Sequence, residues 1–186
     1  MLDVAMTSAI MAAAIFTTQD AHAAAIEGVT LPPTITYSGR QLQLAGCGTR
    51  EMMFFVDAYV ISIYLPEPPA DAATIMDPST AKLVRLKIVY SEAVPHDLPD
   101  EWRSRLEDEI SAEMVDTLQG VYTHIHSGDV VAIGYAPDSG TTIRVNGDTV
   151  VARSGNTLID AMLELWIGDI PTSGNLKRLL LQTPCS

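Results

Sequence analysis

The sequence predicts an α+β domain, in which strand-like segments and helical segments occur in separate blocks along the chain. Two observations support this fold class. A series of strand-like segments up to residue 90 precedes a helical segment at 98–118, and a second series at 130–152 precedes two C-terminal helices. Consecutive strands joined by short turns pair antiparallel, and runs of strands followed by runs of helices are typical of the α+β class.

The first half of the chain contains three predicted strand regions. Segments 34–37 and 41–44 predict a hairpin that turns at Ser38-Gly39. Segment 52–65 is rich in Phe, Val, Tyr and Ile, which is typical of a strand covered on both faces. After one predicted helical turn at 70–76, the alternating pattern of residues 82–90 indicates another strand.

The second half begins with a change from strand to helix periodicity. Between 98 and 118, apolar residues recur four positions apart, which predicts one amphipathic helix. Two turns, 137–140 and Asn146-Gly147, then divide a predicted three-stranded meander. The meander strands and the closing helices are predicted at 130–136, 141–145, 149–152, 156–167 and 173–181.

The first 23 residues are predicted to be an export signal, and residues 24–186 a single domain. An apolar run from Val4 to Phe16 precedes the small-residue cleavage pattern Ala21-His22-Ala23, and the run is too short to span a bilayer comfortably. An uncleaved anchor and a cytosolic start remain alternatives, because no Lys or Arg precedes the run. Cleavage predicts a periplasmic or secreted protein that is not integral to the membrane.

The charge of the chain excludes two classes of partner. Removal of residues 1–23, which hold two acids and no Lys or Arg, leaves 163 residues and changes the formal net charge from −12 to −10. A domain of that size buries one core. Its negative charge argues against nucleic acids and anionic membrane surfaces as partners.

Cys47 and Cys185 are the two cysteines of the chain, 138 positions apart. In an exported protein they can form a disulfide that ties the C-terminal tail to the glycine-rich segment. The alternative is that Cys47 is a small buried residue and Cys185 lies on a frayed tail. The sequence leaves both open.

Residues 45–65, AGCGTREMMFFVDAYVISIYL, hold the most informative candidate for a binding site. They are predicted to form a glycine-rich turn that places Arg50 at the mouth of the long apolar strand. Arg50 is the only cation between Arg40 and Lys82. Such a charge either binds an anion in an apolar cleft or pairs with a nearby acid such as Glu51 or Asp57.

Several motifs taken together resemble the chalcone isomerase superfamily, in particular its secreted bacterial chalcone-isomerase-like branch. They include GCGTR, AYVISIYLP, SGDVVAIGYAPDSGTTIRVNG and LELWIGDIP, in this order along the chain. The resemblance implies an open-faced β-sandwich, a large antiparallel sheet backed by a helical layer, with a ligand cleft between the layers. It also implies that Arg50 is the arginine that holds an anionic substrate group.

The resemblance does not extend to the other catalytic positions. The strand threonine of the enzymes becomes Tyr59, and residues 98–119 contain neither Tyr nor Asn. Without those groups an enolate would lack its stabilising donors. Arg50 with Tyr59 instead resembles the pair that holds a carboxylate in the fatty-acid-binding branch.

The function predicted from these residues is a non-catalytic binder of a small amphipathic anion, such as a fatty acid, with Arg50 and Tyr59 as ligand-binding residues. The alternatives are a chalcone-isomerase-type intramolecular lyase and a haem-binding protein. The cleft walls are predicted to include Met53, Phe55, Ile61, Ile63 and the apolar faces of the helices. Trp102 and Trp166 suit either the core or the cleft.

No catalytic residue, metal site or cofactor is predicted. His124 and His126 are two positions apart on a predicted strand, so their side chains would point the same way. Two ligands do not make a metal site, and no third ligand has a suitable spacing. Surface histidines are the simpler interpretation, and these residues are the candidates should haem be bound.

Overall fold

The computed structural model describes residues 23–52, 56–68, 71–90, 96–182 and 185. Within them, nine strands and five helices form a two-stranded hairpin and a seven-stranded antiparallel sheet with helices on one face. The sheet strands lie side by side in the order of the sequence. The strands are β1 (Ala24–Ile26), β2 (Val29–Leu31), β3 (Thr34–Tyr37), β4 (Arg40–Met52), β5 (Val56–Leu65), β6 (Lys82–Ile88), β7 (Val130–Ala136), β8 (Gly140–Val145) and β9 (Asp148–Arg153).

The helices come in two blocks, as the sequence predicts, but the first block holds two helices instead of one. The helices are α1 (Ala72–Met76), α2 (Asp100–Glu109), α3 (Ala112–Tyr122), α4 (Thr157–Ile167) and α5 (Gly174–Leu180). The apolar spacing of 98–118 continues across a break at Ile110-Ser111, where the Ser111 hydroxyl accepts a hydrogen bond from the Met114 N–H. Ser111 therefore starts a new helix at a position where periodicity alone gives no signal.

The predicted hairpins and meander are confirmed by the strand pairing. The turn at Ser38-Gly39 joins β3 to β4, and the turn at Asn146-Gly147 joins β8 to β9. Ser38, Gly39, Asn146 and Gly147 all have positive φ, as two-residue hairpin turns require. Short-range turn chemistry fixed these connections.

The glycine-rich segment is not a turn, and this prediction was wrong. Residues 45–50 lie inside β4, where Gly46, Gly48 and Arg50 pair with Ile63, Ile61 and Tyr59 of β5. A Cβ at Gly46 would lie 1.9 Å from the Leu180 carbonyl oxygen, and one at Gly48 2.9 Å from the Leu176 side chain. The two glycines allow α5 to contact the strand, so they serve helix packing instead of chain reversal.

One face of the sheet packs against the helices and forms the main core. Tyr59, Ile61, Ile63 and Leu65 alternate along β5 and face this core, which also takes eight residues of α4. The other face is covered in part by the β1–β2 hairpin, which packs against Cys47 and Val60. Residues that alternate along one strand therefore serve two separate layers.

Cys47 and Cys185 form a disulfide, with their Cα atoms 5.7 Å apart. Cys47 points to the face opposite that of Gly46 and Gly48, so the bridge and α5 hold the same stretch of β4 from its two sides. Of the two alternatives left by the sequence, the structure shows the bridge. In the described ranges, no helix is long and apolar enough to cross a membrane.

Candidate functional site

A cavity of about 510 Å³ lies between the inner face of the sheet and helices α2 and α3. Its volume is within the range of small-molecule sites. The sheet contributes residues from β4 to β8, and α4 contributes Met162. The helical layer thus covers the sheet without filling the space beneath it at this position.

The cavity is polar at one end and apolar at the other. Across the strands, Arg50, Tyr59 and Ile88 form one row, Leu86 and Val131 lie in the next, and Ile133 and Ile143 lie beyond. The inner end is lined by buried apolar side chains: Leu86, Leu106, Leu118, Val131, Ile133, Ile143 and Met162. The rim carries Arg50, Glu51, Tyr59, Tyr90, Glu101 and Tyr122.

Arg50 is half-buried on the cavity wall, at the point where β4 and β5 shift register by a bulge between Arg50 and Glu51. Gly46, Gly48 and Arg50 are successive inward positions of β4, so Arg50 is the first side chain beyond the contact with α5. Within the described part of the chain, no acid lies within ion-pair distance of its guanidinium, and this includes Glu51. The Asp57 side chain lies outside the described part.

Tyr59 is buried beside Arg50, and its hydroxyl oxygen accepts a hydrogen bond of 2.9 Å from the Trp166 indole N–H. Indole nitrogen can only donate, so the proton of the Tyr59 hydroxyl remains able to donate to a second group. Burial raises the pKa of Tyr59 strongly, and the Trp166 hydrogen bond and the Arg50 charge offset only part of that rise. Tyr59 is therefore a neutral donor at physiological pH.

The two tryptophans have different roles, which the sequence could not distinguish. Trp102 lines the cavity and packs edge-on against both Tyr59 and Trp166, at centroid distances of 6.3 and 5.9 Å. Trp166 is fully buried behind them and holds the Tyr59 hydroxyl. Trp166 thus orients a cavity residue without lining the cavity itself.

Tyr90 and Tyr122 are cavity residues that the sequence interpretation missed. Tyr90 lies two residues after the end of β6, and Tyr122 is the last residue of α3. Residues 98–119 contain no tyrosine, and Tyr122 lies one helical turn beyond Leu118. The spacing of four residues between Leu118 and Tyr122 was the available signal, because it continues the inward face of the helix.

The predicted cleft walls are partly corrected. Ile61 and Ile63 are on the predicted face of β5, but both are fully buried in the core and do not line the cavity. Their partners across the strand pair, Gly48 and Gly46, contact α5, and the main core that contains both isoleucines also takes residues of α4 and α5. Met53 and Phe55 lie outside the described residues.

His124 and His126 are not on a strand, so the predicted common direction of their side chains was wrong. Both lie in the turn that follows α3, and both are exposed. His124 Nδ1 is 2.8 Å from the Gly120 carbonyl oxygen, and His126 Nδ1 is 3.8 Å from an Asp129 oxygen. Neither histidine lines the cavity, and no cluster of three metal-ligating side chains occurs among the described residues.

The comparisons with known proteins agree with this architecture. A solved structure of a fatty-acid binding protein from Arabidopsis thaliana superposes with a TM-score of 0.59 at 17% sequence identity, covering 83% of this chain and 92% of that one. No curated protein compared with the chain gave a match. The likeness confirms the predicted fold class, a large antiparallel sheet backed by helices. The sequence matches the chalcone isomerase-like family over residues 23–182, and the chain belongs to that family.

Proposed function

We propose that this protein is a non-catalytic binder of a small amphipathic anion, most simply a fatty acid, which enters the cavity tail first. The observation that carries this proposal is the distribution of polarity in the cavity. One end is lined by hydrocarbon and thioether side chains, and the other carries one arginine, three tyrosines and two glutamates. A molecule that matches both ends has an apolar tail and an anionic head.

The head group would bind to Arg50 and Tyr59. A guanidinium presents two parallel N–H groups that match the two oxygens of a carboxylate, and such charged hydrogen bonds are stronger than neutral ones. The Tyr59 proton supplies a third donor from the adjacent strand, and its oxygen is already held by Trp166. The geometry of this donor is thus fixed before a ligand arrives.

Two further observations support the proposal. Burial of a hydrocarbon tail against the inner end would contribute roughly 0.8 kcal/mol per methylene group, which is enough to hold a medium-length chain. The solved neighbour is described as a fatty-acid binding protein, and it shares this fold.

Native mass spectrometry of the purified protein, followed by denaturing extraction, tests the proposal first. A co-purifying fatty acid supports it, whereas haem would replace it with the haem-binding alternative. Titration with dodecanoate then compares the wild type with Arg50→Gln. The variant should bind more than tenfold more weakly, which corresponds to the loss of about 1.5–3 kcal/mol from hydrogen bonds to a charged group.

Arg178→Gln is the matched control, because Arg178 is an exposed arginine of α5 that donates to Asn175 and Gln182 and does not line the cavity. It should leave the affinity for dodecanoate unchanged. Equal affinities of Arg50→Gln and the wild type would contradict the role of Arg50.

An intramolecular lyase is the second candidate, and Tyr122 is the observation that favours it. The hydroxyl of this residue supplies the cavity with a helical tyrosine, which the sequence interpretation had found missing. Turnover of a chalcone by the wild type, abolished in Arg50→Gln, would establish this activity in place of simple binding.

We also propose that the domain functions after export to the periplasm or medium, following cleavage after Ala23. The Cys47–Cys185 disulfide supports this, because disulfides persist in oxidising compartments. Fractionation of the native host and mass measurement of the protein would test it. A full-length, reduced protein in the cytoplasm would contradict it.

A further inference from the structure

Besides Arg50 and Tyr59, the rim of the cavity carries two further tyrosine hydroxyl groups. Tyr90 and Tyr122 line the cavity, and both are half-buried. Neither hydroxyl makes a hydrogen bond to any group in the described part of the chain. Burial, with a smaller contribution from Tyr90, raises the pKa of Tyr122, and Tyr122 contributes in turn to the raised pKa of Tyr59.

The donors at the rim exceed what a carboxylate can accept. A carboxylate offers about four lone-pair sites. A bidentate arginine uses two of them and Tyr59 a third, which leaves one for two further hydroxyls. A partly buried hydroxyl without a partner is unfavourable, and a hydroxyl can both donate and accept. A hydroxyl on the ligand is a group that could bond to both Tyr90 and Tyr122.

We propose that Tyr90 and Tyr122 form a hydrogen-bonding subsite for a hydroxyl group close to the anionic head, so that the cavity prefers hydroxylated fatty acids such as 3-hydroxy acids. This inference rests on the proposed function, because it assumes that Arg50 holds the carboxylate. It names the class of fatty acid that the site selects.

The inner end of the cavity restricts where the ligand hydroxyl can be. The lining there consists of side chains such as Leu106, Ile133 and Met162, none of which has a hydrogen-bonding group able to replace water. A hydroxyl at the far end of the chain would lose its hydration without compensation. The preference of the cavity for hydroxylated fatty acids should therefore depend on where the hydroxyl lies along the chain, and not only on its presence.

Calorimetric titration with three ligands of equal chain length tests the inference: dodecanoate, 3-hydroxydodecanoate and 12-hydroxydodecanoate. The wild type should bind the 3-hydroxy acid about fivefold more tightly than dodecanoate, the effect of one additional neutral hydrogen bond. It should bind the 12-hydroxy acid more weakly than dodecanoate. In the double variant Tyr90→Phe/Tyr122→Phe, the ratio of the two affinities should fall to about one, so that the preference for the 3-hydroxy acid over dodecanoate disappears.

Tyr135→Phe is the matched control, because the Tyr135 hydroxyl donates to the Pro78 carbonyl and lies outside the cavity lining. It should keep the fivefold preference. Equal affinities for dodecanoate and the 3-hydroxy acid in the wild type, or a preference that survives in the double variant, would overturn the inference alone. If dodecanoate itself does not bind, the proposed function fails and the inference fails with it.

Discussion

Lys82 and Arg50 are two cations on the inner face of the same sheet, and their surroundings differ. The Lys82 side chain is 0% exposed, and its ammonium donates to the Asp77 carbonyl, lies 4.0 Å from an Asp160 oxygen and lies over the Tyr135 ring. Arg50 is half-buried beside an open cavity, and none of the described acids is within ion-pair distance.

The different surroundings indicate that Lys82 is a structural charge and that Arg50 is a candidate for binding a ligand. A buried cation is tolerated only when protein groups replace its hydration, and Lys82 has three such groups from three parts of the chain. Arg50 keeps contact with solvent at the rim, so its desolvation is left to a ligand. Exposure and partners, rather than residue type, make this distinction.

Removal of the Lys82 ammonium should have the largest effect on stability. Lys82→Ala should lower the free energy of unfolding by about 3 kcal/mol, because it leaves a cavity in the core and takes the counter-charge from Asp160. Lys82→Met should lower it by less, since methionine fills most of the volume. Urea unfolding of the free protein measures both. A loss below about 0.5 kcal/mol for Lys82→Ala would show that the buried contacts do not stabilise the fold.

Tyr59→Phe should have the next largest effect on stability, and it should also change the affinity of the cavity for its ligand. The substitution leaves the buried Trp166 N–H without its acceptor, which should cost about 1–2 kcal/mol of unfolding free energy. It should also weaken dodecanoate binding several-fold through loss of the third donor. Stability that falls without any change in affinity would assign Tyr59 a structural role alone.

The pH dependence of stability should reveal how the Lys82–Asp160 pair is balanced. Burial raises the pKa of the Asp160 carboxyl, although Lys82 and the Asn156 hydrogen bond lower it in part. Between the ordinary pKa of aspartate and this raised value, the folded state binds more protons than the unfolded state. Stability contributed by Asp160 is thus present at low pH and is lost as the pH rises through that window.

Comparison of the wild type with Asp160→Asn isolates this effect, because asparagine does not titrate. The wild type should lose stability relative to the variant as the pH rises above about 4, the ordinary pKa of aspartate. A relative gain over the same range would mean that attraction to Lys82 exceeds the cost of burying the carboxylate.

Arg50→Gln should have the smallest effect on the free protein. Half-exposed side chains without ion pairs typically change the unfolding free energy by less than about 0.5 kcal/mol when substituted. Thermal unfolding of the ligand-free variant measures this. A loss of 2 kcal/mol or more, on the scale of a broken buried network, would place Arg50 with Lys82 as a structural charge.

Local patterns in the sequence were sufficient to predict most strands and helices, and the arrangement of a large sheet with a helical layer followed from the family resemblance. Three features depend only on residues close together in the sequence, so they can be predicted without the tertiary structure. They are the alternation of the strands, the turns at Ser38-Gly39 and Asn146-Gly147, and the helical spacing from Trp102 onward. The two-helix break at Ser111 was missed because a capping serine looks like any other surface residue within an apolar repeat.

The site was less predictable because it combines distant elements. Arg50 and Tyr59 were identified through family resemblance, and the structure places both on the cavity wall in directly paired positions of β4 and β5. Tyr90 and Tyr122 come from the end of a strand and the end of a helix, where periodicity is weakest. Only packing brings them to the same rim.

The sequence by itself determined the antiparallel α+β fold, the hairpin turns and the presence of one cation in an apolar region, because all three depend on local backbone preferences and hydrophobic patterning. The tertiary structure alone decided the purpose of Gly46 and Gly48, the roles of the two tryptophans and which of the inner-face cations is solvated. Those outcomes depend on which distant groups come into contact, and contact between distant groups is a property of packing.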